Sequence, residues 1–571
     1  MKNKIRKTFV IINLFVMSIA LSSCGLFGDN SKKERIEAVY QSLFSKIDAA
    51  HIQKDFTLPI SRSGVTISYE SENHAVITPS IDTISNAMSF VVTRSSENQS
   101  VNLVVTLKYS EETVVKIKKL IVLLDSDETF DFIPYPFAGE LTLLNKKIID
   151  YIGFNGLEPL PNTFANKQKI LVVPVQFSDD TFSNKELSDI EIAFNGTSVQ
   201  TGYESVQSYY NKSSYGKLDI DATIAPTYEA TYASSYYQGK YPNDPEQIIL
   251  NEIMSYFNDS IDFSEYDNNN DGYIDGIYLI YSHEVIFGQL ENDDPLNLWW
   301  AWCFQYKSSR FEKYDNVRPG FYVWSGVDFF YETVNSTKLN VNALVLIHET
   351  GHMLGLEDYY DYYSDVGPKG GLGSLDMMDE NVGDHNSFSK IMLGWTTPMV
   401  INDSITVNIR PFSEYGDVLL IPAFWSESKD AYFSEYILIE YYSPSSIDAL
   451  FIGNRYFSKS GIRMFHVSAE LGKNTSFNGY GSLHLNDNSD STYKLIRYLD
   501  ASKNNEIENL GPDDKLSQIQ IDNLLYNTLS TNILQDFKWY KPHDGTKDIC
   551  FSISINKMNN NFAEISVTFN R

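Results

Sequence analysis

The sequence predicts a multidomain α+β chain with an N-terminal β-sandwich, a central α/β domain and a C-terminal β-sandwich. Three observations lead there. At 571 residues the chain exceeds what one hydrophobic core supports, since domains usually run to about 100–200 residues. Hydrophobic residues at 43% and charged residues at 21% are the proportions of a folded protein, and 38 Tyr with 34 Phe favour strands. The texture also changes twice, from alternating strand patterns to mixed helix and strand signals near residue 167, and back to strands after Pro398. A formal charge of −29 weighs against nucleic acid or an anionic surface as the main partner.

Lys2, Lys4, Arg6 and Lys7 precede an apolar run from Thr8 to Leu21. That run is short for a membrane span and right for the core of a signal peptide. It closes on Leu21-Ser22-Ser23-Cys24, which resembles the bacterial lipobox. The resemblance implies a lipoprotein signal peptide at 1–23, removed before Cys24, and a lipid on that thiol. Two or more acyl chains anchor a protein stably, so the expected location is the outer face of a cell membrane. A polar tether follows at 24–37. Only Cys303 and Cys550 remain, enough for a single bridge or two free thiols but not for a disulfide framework.

The segment Glu34 to Ile47 has helical spacing, with Ile36, Val39, Tyr40, Leu43 and Ile47 on one face. Beyond it, 65–69, 75–77, 88–92, 101–107 and 117–123 alternate as strands between turns. Residues 38–125 thus predict a small β-sandwich, similar to the immunoglobulin-like modules of bacterial surface lipoproteins, with a spacer role expected. Residues 126–166 read as a linker with one short helical stretch near Leu143 to Tyr151.

A new domain is expected at 167–400. It opens on Lys169-Ile170-Leu171-Val172-Val173-Pro174-Val175-Gln176-Phe177, a continuous apolar run typical of a strand covered on both faces. The C-terminal β-sandwich is expected at 401–571, from strand patterns at 405–409, 418–421, 436–440, 461–467 and 563–569.

The most informative segment runs Leu344-Val345-Leu346-Ile347-His348-Glu349-Thr350-Gly351-His352-Met353-Leu354-Gly355-Leu356-Glu357-Asp358. On a helix, residues four apart share a face, so His348 and His352 can grip one ion together. Glu349 is displaced around the axis, where it can reach a water on the metal without ligating it. Imidazole pairs at this spacing suit zinc, whose catalytic sites take three protein ligands and leave one position open. Gly355 accepts the left-handed turn that ends the helix. Asp358 then falls where the longer H-E-x-x-H-x-x-G-x-x-H pattern places its third ligand, with Glu357, Asp361 and the more distant His385 as rivals. Downstream, 370–379 is a glycine-rich stretch ending near Met377-Met378. It is similar to the methionine turn beneath the zinc of metzincins, with Met378 as the candidate and Met377 its rival.

A second ion site is expected at Asp267-Asn268-Asn269-Asn270-Asp271-Gly272-Tyr273-Ile274-Asp275. Oxygen side chains alternate there and glycine stands sixth, a spacing that wraps Ca²⁺, with the Tyr273 carbonyl among the ligands. Tyr278 occupies the place of the usual bidentate Glu, and Asp275 is expected to supply the missing charge. The plain alternative is an Asn/Asp turn before a strand.

From about residue 168 onward the chain resembles the immune inhibitor A-like metallopeptidases of bacteria. The likeness rests on the zinc motif, on Ser205 to Leu218 (Ser-Val-Gln-Ser-Tyr-Tyr-Asn-Lys-Ser-Ser-Tyr-Gly-Lys-Leu), and on His385 to Trp395 (His-Asn-Ser-Phe-Ser-Lys-Ile-Met-Leu-Gly-Trp). It implies a zincin-type central domain, a zinc endopeptidase acting on extracellular proteins or peptides, Zn²⁺ at the centre and structural Ca²⁺. The immunoglobulin-like module stands where many members carry a propeptide. The rival expectation is a surface-binding or adhesin lipoprotein on a peptidase-like scaffold; a zinc exopeptidase is a third. Trp299, Trp300 and Trp302, and Tyr359, Tyr360, Tyr362 and Tyr363, are candidates for cleft walls or packing.

Overall fold

The computed structural model describes residues 30–122 and 159–569 apart from short internal stretches, the longest being 285–298, 424–433 and 471–483. The expected signal peptide with Cys24, the helical stretch near Leu143 to Tyr151, and Ile47, Tyr362, Tyr363 and Gly370 lie outside the described residues. The protein is mixed α and β, with many sheets and few helices. It divides into two compact units, Met1–Thr129 and Phe130–Arg571.

In the first unit two antiparallel sheets enclose one core. One sheet pairs Phe56–Pro59, Ala87–Val92 and Ile77–Asp82. The other runs Ser61–Arg62, Val65–Ser71, Gln99–Tyr109 and Glu112–Val122. The strict inward alternation of Val65, Ile67, Tyr69 and of Val101, Leu103, Val105, Leu107 fills the space between them. Two details differ from the sequence pattern. The helix is Asn30–Leu43, so it begins inside the stretch expected to be tether; Ile36, Val39 and Leu43 bury one face while Lys33 and Arg35 are exposed. The strand expected at 75–77 instead begins at Ile77, because Asn73 holds a turn: its Oδ1 accepts from Ala75 N, and its carbonyl from Val76 N and Ile77 N.

The second unit is built on a six-stranded sheet. In spatial order it runs Tyr228–Glu229, Gln168–Gln176, Ile277–Tyr281, Phe321–Gly326 and Trp302–Gln305, with Ile220–Ile224 also on Gln168–Gln176. All pairs are parallel except the last, Trp302–Gln305, which is antiparallel to Phe321–Gly326. Both faces of Gln168–Gln176 are covered, as its unbroken apolar run requires. Ile170 and Val172 face the core that holds the histidine helix. Leu171, Val173 and Val175 face the core under the helix Pro245–Phe257.

Beyond residue 398 a five-stranded sheet joins Met399–Val400, Val418–Pro422, Glu435–Tyr442, Gly461–Ser468 and Ile496–Tyr498. A three-stranded sheet joins Ile405–Ile409, Phe562–Phe569 and Phe551–Asn559. Leu419, Ile421, Ile437 and Ile439 share a core with Val407 and Ile565 of the smaller sheet. The opposite face, with Val418, Leu420, Tyr436 and Leu438, packs into the same core as Leu346 and Ile347 of the histidine helix. The chain on either side of residue 400 is therefore joined by one continuous interior. Among the described residues no helix is long and apolar enough to cross a membrane.

Candidate metal centre

The histidine helix is Leu344–Met353, entered through Asn342, whose Oδ1 accepts from Leu344 N at 2.9 Å. Buried tyrosines fix its rotation. Tyr278 Oη donates to Leu346 O at 3.1 Å, and Tyr210 Oη donates to Ile347 O at 2.6 Å. Tyr210 belongs to the helix Val206–Ser213, within the segment singled out from sequence. Gly355 takes φ +91°, and the chain turns back as Gly355 N bonds His352 O and Leu356 N bonds Gly351 O. This is the glycine-dependent helix end expected from sequence. Its consequence is specific: the turn swings Leu356 O to within 2.8 Å of His352 Nδ1.

His348 Nδ1 is likewise 2.9 Å from Met377 O. With each Nδ1 turned to a carbonyl, both Nε2 atoms point toward Asp358, the orientation a metal-binding imidazole needs. Asp358 Oδ1 lies 3.0 Å from His348 Nε2 and 3.3 Å from His352 Nε2. One ligand atom from each of the three lies within 4.8 Å of the others, so the group can hold a metal ion.

The electrostatics of the trio favour positive charge. Burial alone would push both imidazole pKa values down, yet Asp358 outweighs it; His348 ends above its usual value and His352 is raised to about 9. Burial works to raise Asp358, but the two imidazoles hold its carboxyl well below the usual carboxylate range. The Glu349 carboxyl is raised mainly by burial, against the pull of the two imidazoles and of the Cys303 backbone N–H. Cys303 lies on Trp302–Gln305, the terminal described strand of its sheet and partly exposed. Cys303 and Cys550 are both free thiols.

Met378 is fully buried beneath the helix. A Cβ on Gly351 would come within 2.5 Å of its sulfur, so glycine between the two histidines lets the methionine seat there. Met377, the rival, contributes its carbonyl to His348. Asp376 caps this turn by accepting from Met378 N and from Asn386 N and Nδ2, each at 2.9 Å.

The rival ligands stand outside this trio. Asp361 pairs with Lys494 at 2.7 Å. His385 is buried among Tyr209, Tyr210 and Trp395. Glu357 is not part of the cluster that Asp358 forms with the histidines. Tyr360 lies face-on to His348 with centroids 6.3 Å apart, whereas Tyr359 is buried with its hydroxyl 2.8 Å from Ser389 Oγ. Trp299 is in the core, and Trp300 is the exposed member of its trio. Sequence reasoning missed the carbonyls of Met377 and Leu356 and the amide of Cys303. Backbone groups are common to every residue type, so they leave no mark in a sequence.

The second expected site folds as a compact loop. Asp267, Asp271 and Asp275 bring carboxylate oxygens within 4.8 Å of one another. Asp267 accepts from Asp271 N and Gly272 N, both at 3.0 Å. Asn269 Oδ1 accepts from Asp271 N at 2.9 Å, while its amide donates to Asp275 Oδ1 at 2.9 Å. Tyr273 donates its N–H to Asp271 and begins the strand Tyr273–Ile274. Asp275 is almost fully buried, and that burial, with the charges of Asp271 and Asp267, drives its pKa up. Three carboxylates around one point is a donor set suited to a hard cation.

Compared with known proteins, the sequence matches no family model and no curated relative.

Proposed function

We propose that this chain is a zinc-dependent endopeptidase related to the immune inhibitor A-like metallopeptidases. In this reading a zincin-type centre stands between an immunoglobulin-like spacer and a C-terminal β-sandwich, and the protein is carried on the outer membrane face by a lipid on Cys24. The observation that carries the reading is the convergence of His348, His352 and Asp358 with Glu349 beside them on the same helix. Two imidazole nitrogens and a carboxylate oxygen are the donor set of catalytic zinc sites, and both imidazoles are anchored through Nδ1 as such sites require.

Zinc held by His348, His352 and Asp358 would supply Lewis-acid chemistry for water and the scissile carbonyl. Glu349 takes the proton of the attacking water and later gives it to the leaving amine. Trp302–Gln305 lies beside the helix as the last described strand of the sheet. An extended peptide can add to such an edge, which favours cleavage within a chain. The loop 267–275 is read as a structural Ca²⁺ site through Asp267, Asn269, Asp271, Tyr273 and Asp275.

A casein-hydrolysis assay on the lipid-free ectodomain, with zinc content measured by mass spectrometry, tests the reading. Wild type is expected to hold one equivalent of zinc and to cleave internally. Glu349→Gln is expected to keep the zinc and lose roughly 10²–10⁴-fold in rate. Equal hydrolysis by the two proteins would remove Glu349 from the chemistry. A metal-free wild type would remove the peptidase.

A further inference from the structure

The third ligand stands on the loop beyond the histidine helix, and the residues that follow it are gripped from the far end of the chain. Asn488 Nδ2 donates to Tyr359 O at 2.8 Å, and Ser489 Oγ donates to Tyr360 O at 3.2 Å. Lys494 Nζ pairs with Asp361 Oδ2 at 2.7 Å, with side chains only 1% and 4% exposed. Three successive residues after Asp358 are thus each held by one short segment.

That segment is itself tied to the sheet. Lys494 Nζ also donates to Asn488 O. Asn488 donates to Ile496 O at 2.9 Å and accepts from Ile496 N at 3.1 Å. Ile496–Tyr498 is a strand of the five-stranded sheet, paired with Gly461–Ser468. From the other side, Tyr359 N donates to Met378 O at 2.8 Å. The backbone at Tyr359 is therefore pinned between the methionine turn and the C-terminal sheet.

We propose that Asn488, Ser489 and Lys494 are positioning residues for the metal centre, acting through Tyr359, Tyr360 and Asp361 to hold Asp358 against the two imidazoles. The inference rests on the metal-centre reading for its function, while the clamp itself is a matter of geometry. His348 and His352 are fixed by their own helix, but Asp358 stands past the Gly355 turn and needs an external support. A buried Lys–Asp pair suits that role, because the partner left by removing either one is a desolvated charge that drives the loop to rearrange.

The experiment measures zinc dissociation constants by chelator competition, and amide hydrogen exchange at residues 359–361 in the metal-free ectodomain. The proteins are wild type, Lys494→Met, Ser489→Ala and the double variant Lys494→Met with Asp361→Leu. Ser489→Ala removes one hydrogen bond without stranding a charge, so it serves if Lys494→Met fails to fold. Lys494→Met is expected to weaken zinc binding about 10–100-fold, as losses of support around a metal ligand commonly do. Exchange at 359–361 should rise at least tenfold, and Ser489→Ala should move both quantities in the same direction by less. The double variant should regain thermal stability without regaining zinc affinity; a merely structural pair would restore both together. Unchanged exchange in the folded variants overturns the clamp, and faster exchange with unchanged zinc affinity overturns its role at the metal. A wild type that binds no zinc removes the peptidase reading, while the exchange measurement still decides the clamp.

Discussion

At the scale of single residues, what matters most is which charge each buried group keeps. Asp358 stays ionised because two imidazoles face it, whereas burial keeps His484 neutral, its pKa lowered to about 4 despite a backbone contact at Ala469 that acts the other way. His484 is 6% exposed and its ring packs on Phe388. In the unfolded chain this imidazole titrates near its ordinary value of about 6.5. Its folded pKa is depressed, so its stabilising contribution is complete above about 6.5 and is lost as the pH falls toward about 4. The loss amounts to about 3 kcal/mol over that interval. Asp376, Asp379 and Asp448, all raised to about 7 by burial, have the opposite sign: they bind protons more readily folded than unfolded, which favours the fold as the pH falls. The His484 part is isolated by comparison with His484→Gln, in which those carboxylates are unchanged. Urea unfolding of both proteins across the interval should show wild type losing about 3 kcal/mol relative to the variant toward the acid end. A constant difference would mean that His484 is solvated in the fold.

At the scale of elements, the centre depends on close backbone approach as much as on its ligands. A Cβ on Gly371 would stand 1.9 Å from Tyr359 O and 2.7 Å from Tyr360 Cα, in the segment that follows Asp358. Gly371→Ala must therefore displace main chain, at a cost of about 1–3 kcal/mol. It is expected to lower the melting temperature and to shrink the further rise that added zinc produces, both read by calorimetry. An unaltered zinc-dependent rise would show that Asp358 does not follow the 359–360 backbone. Much of this region was legible in the sequence. His348 and His352 share a face because a helix repeats near every four residues, and Gly355 announced its left-handed turn. The strand Gln168–Gln176 was equally plain from its unbroken apolar run. Less legible was the strand Ile77–Asp82: the triplet Ala75-Val76-Ile77 has strand-like composition, but the Asn73 turn takes its first two residues. The start of the first helix at Asn30 was hidden too, because its opening residues are polar and its stability comes from Ile36, Val39 and Leu43 further along.

For the molecule as a whole, the question is whether the residues before 400 form a body of their own, as the change of texture at Pro398 led us to expect. The interior argues that they do not. Leu420 and Leu438 share a core with Ile347 and Leu346, and the contact is polar as well as apolar. Glu440 Oε2 accepts from Ser387 N at 3.1 Å, at the start of the helix Ser387–Met392, while Arg463 neutralises the same carboxylate. Asp448 accepts from Asp384 N at 2.9 Å, and Asp384 in turn pairs with the fully buried Lys390. Sequence texture reports how each segment alternates, not which face of a later sheet covers an earlier helix, so this dependence could not be read from it. A chain ending at Thr397 would uncover the apolar side of the helix Ser387–Met392 and leave Ser387 N and Asp384 N without these acceptors. Each stranded buried polar group costs about 1–3 kcal/mol, and the lost apolar cover costs more. The fragment 159–397 is therefore expected to lack near-ultraviolet circular dichroism and to bind zinc no better than an unfolded chain. If it instead gave a cooperative melt and hydrolysed casein, the strands after residue 398 would be an accessory domain and the shared core would contribute little to the centre.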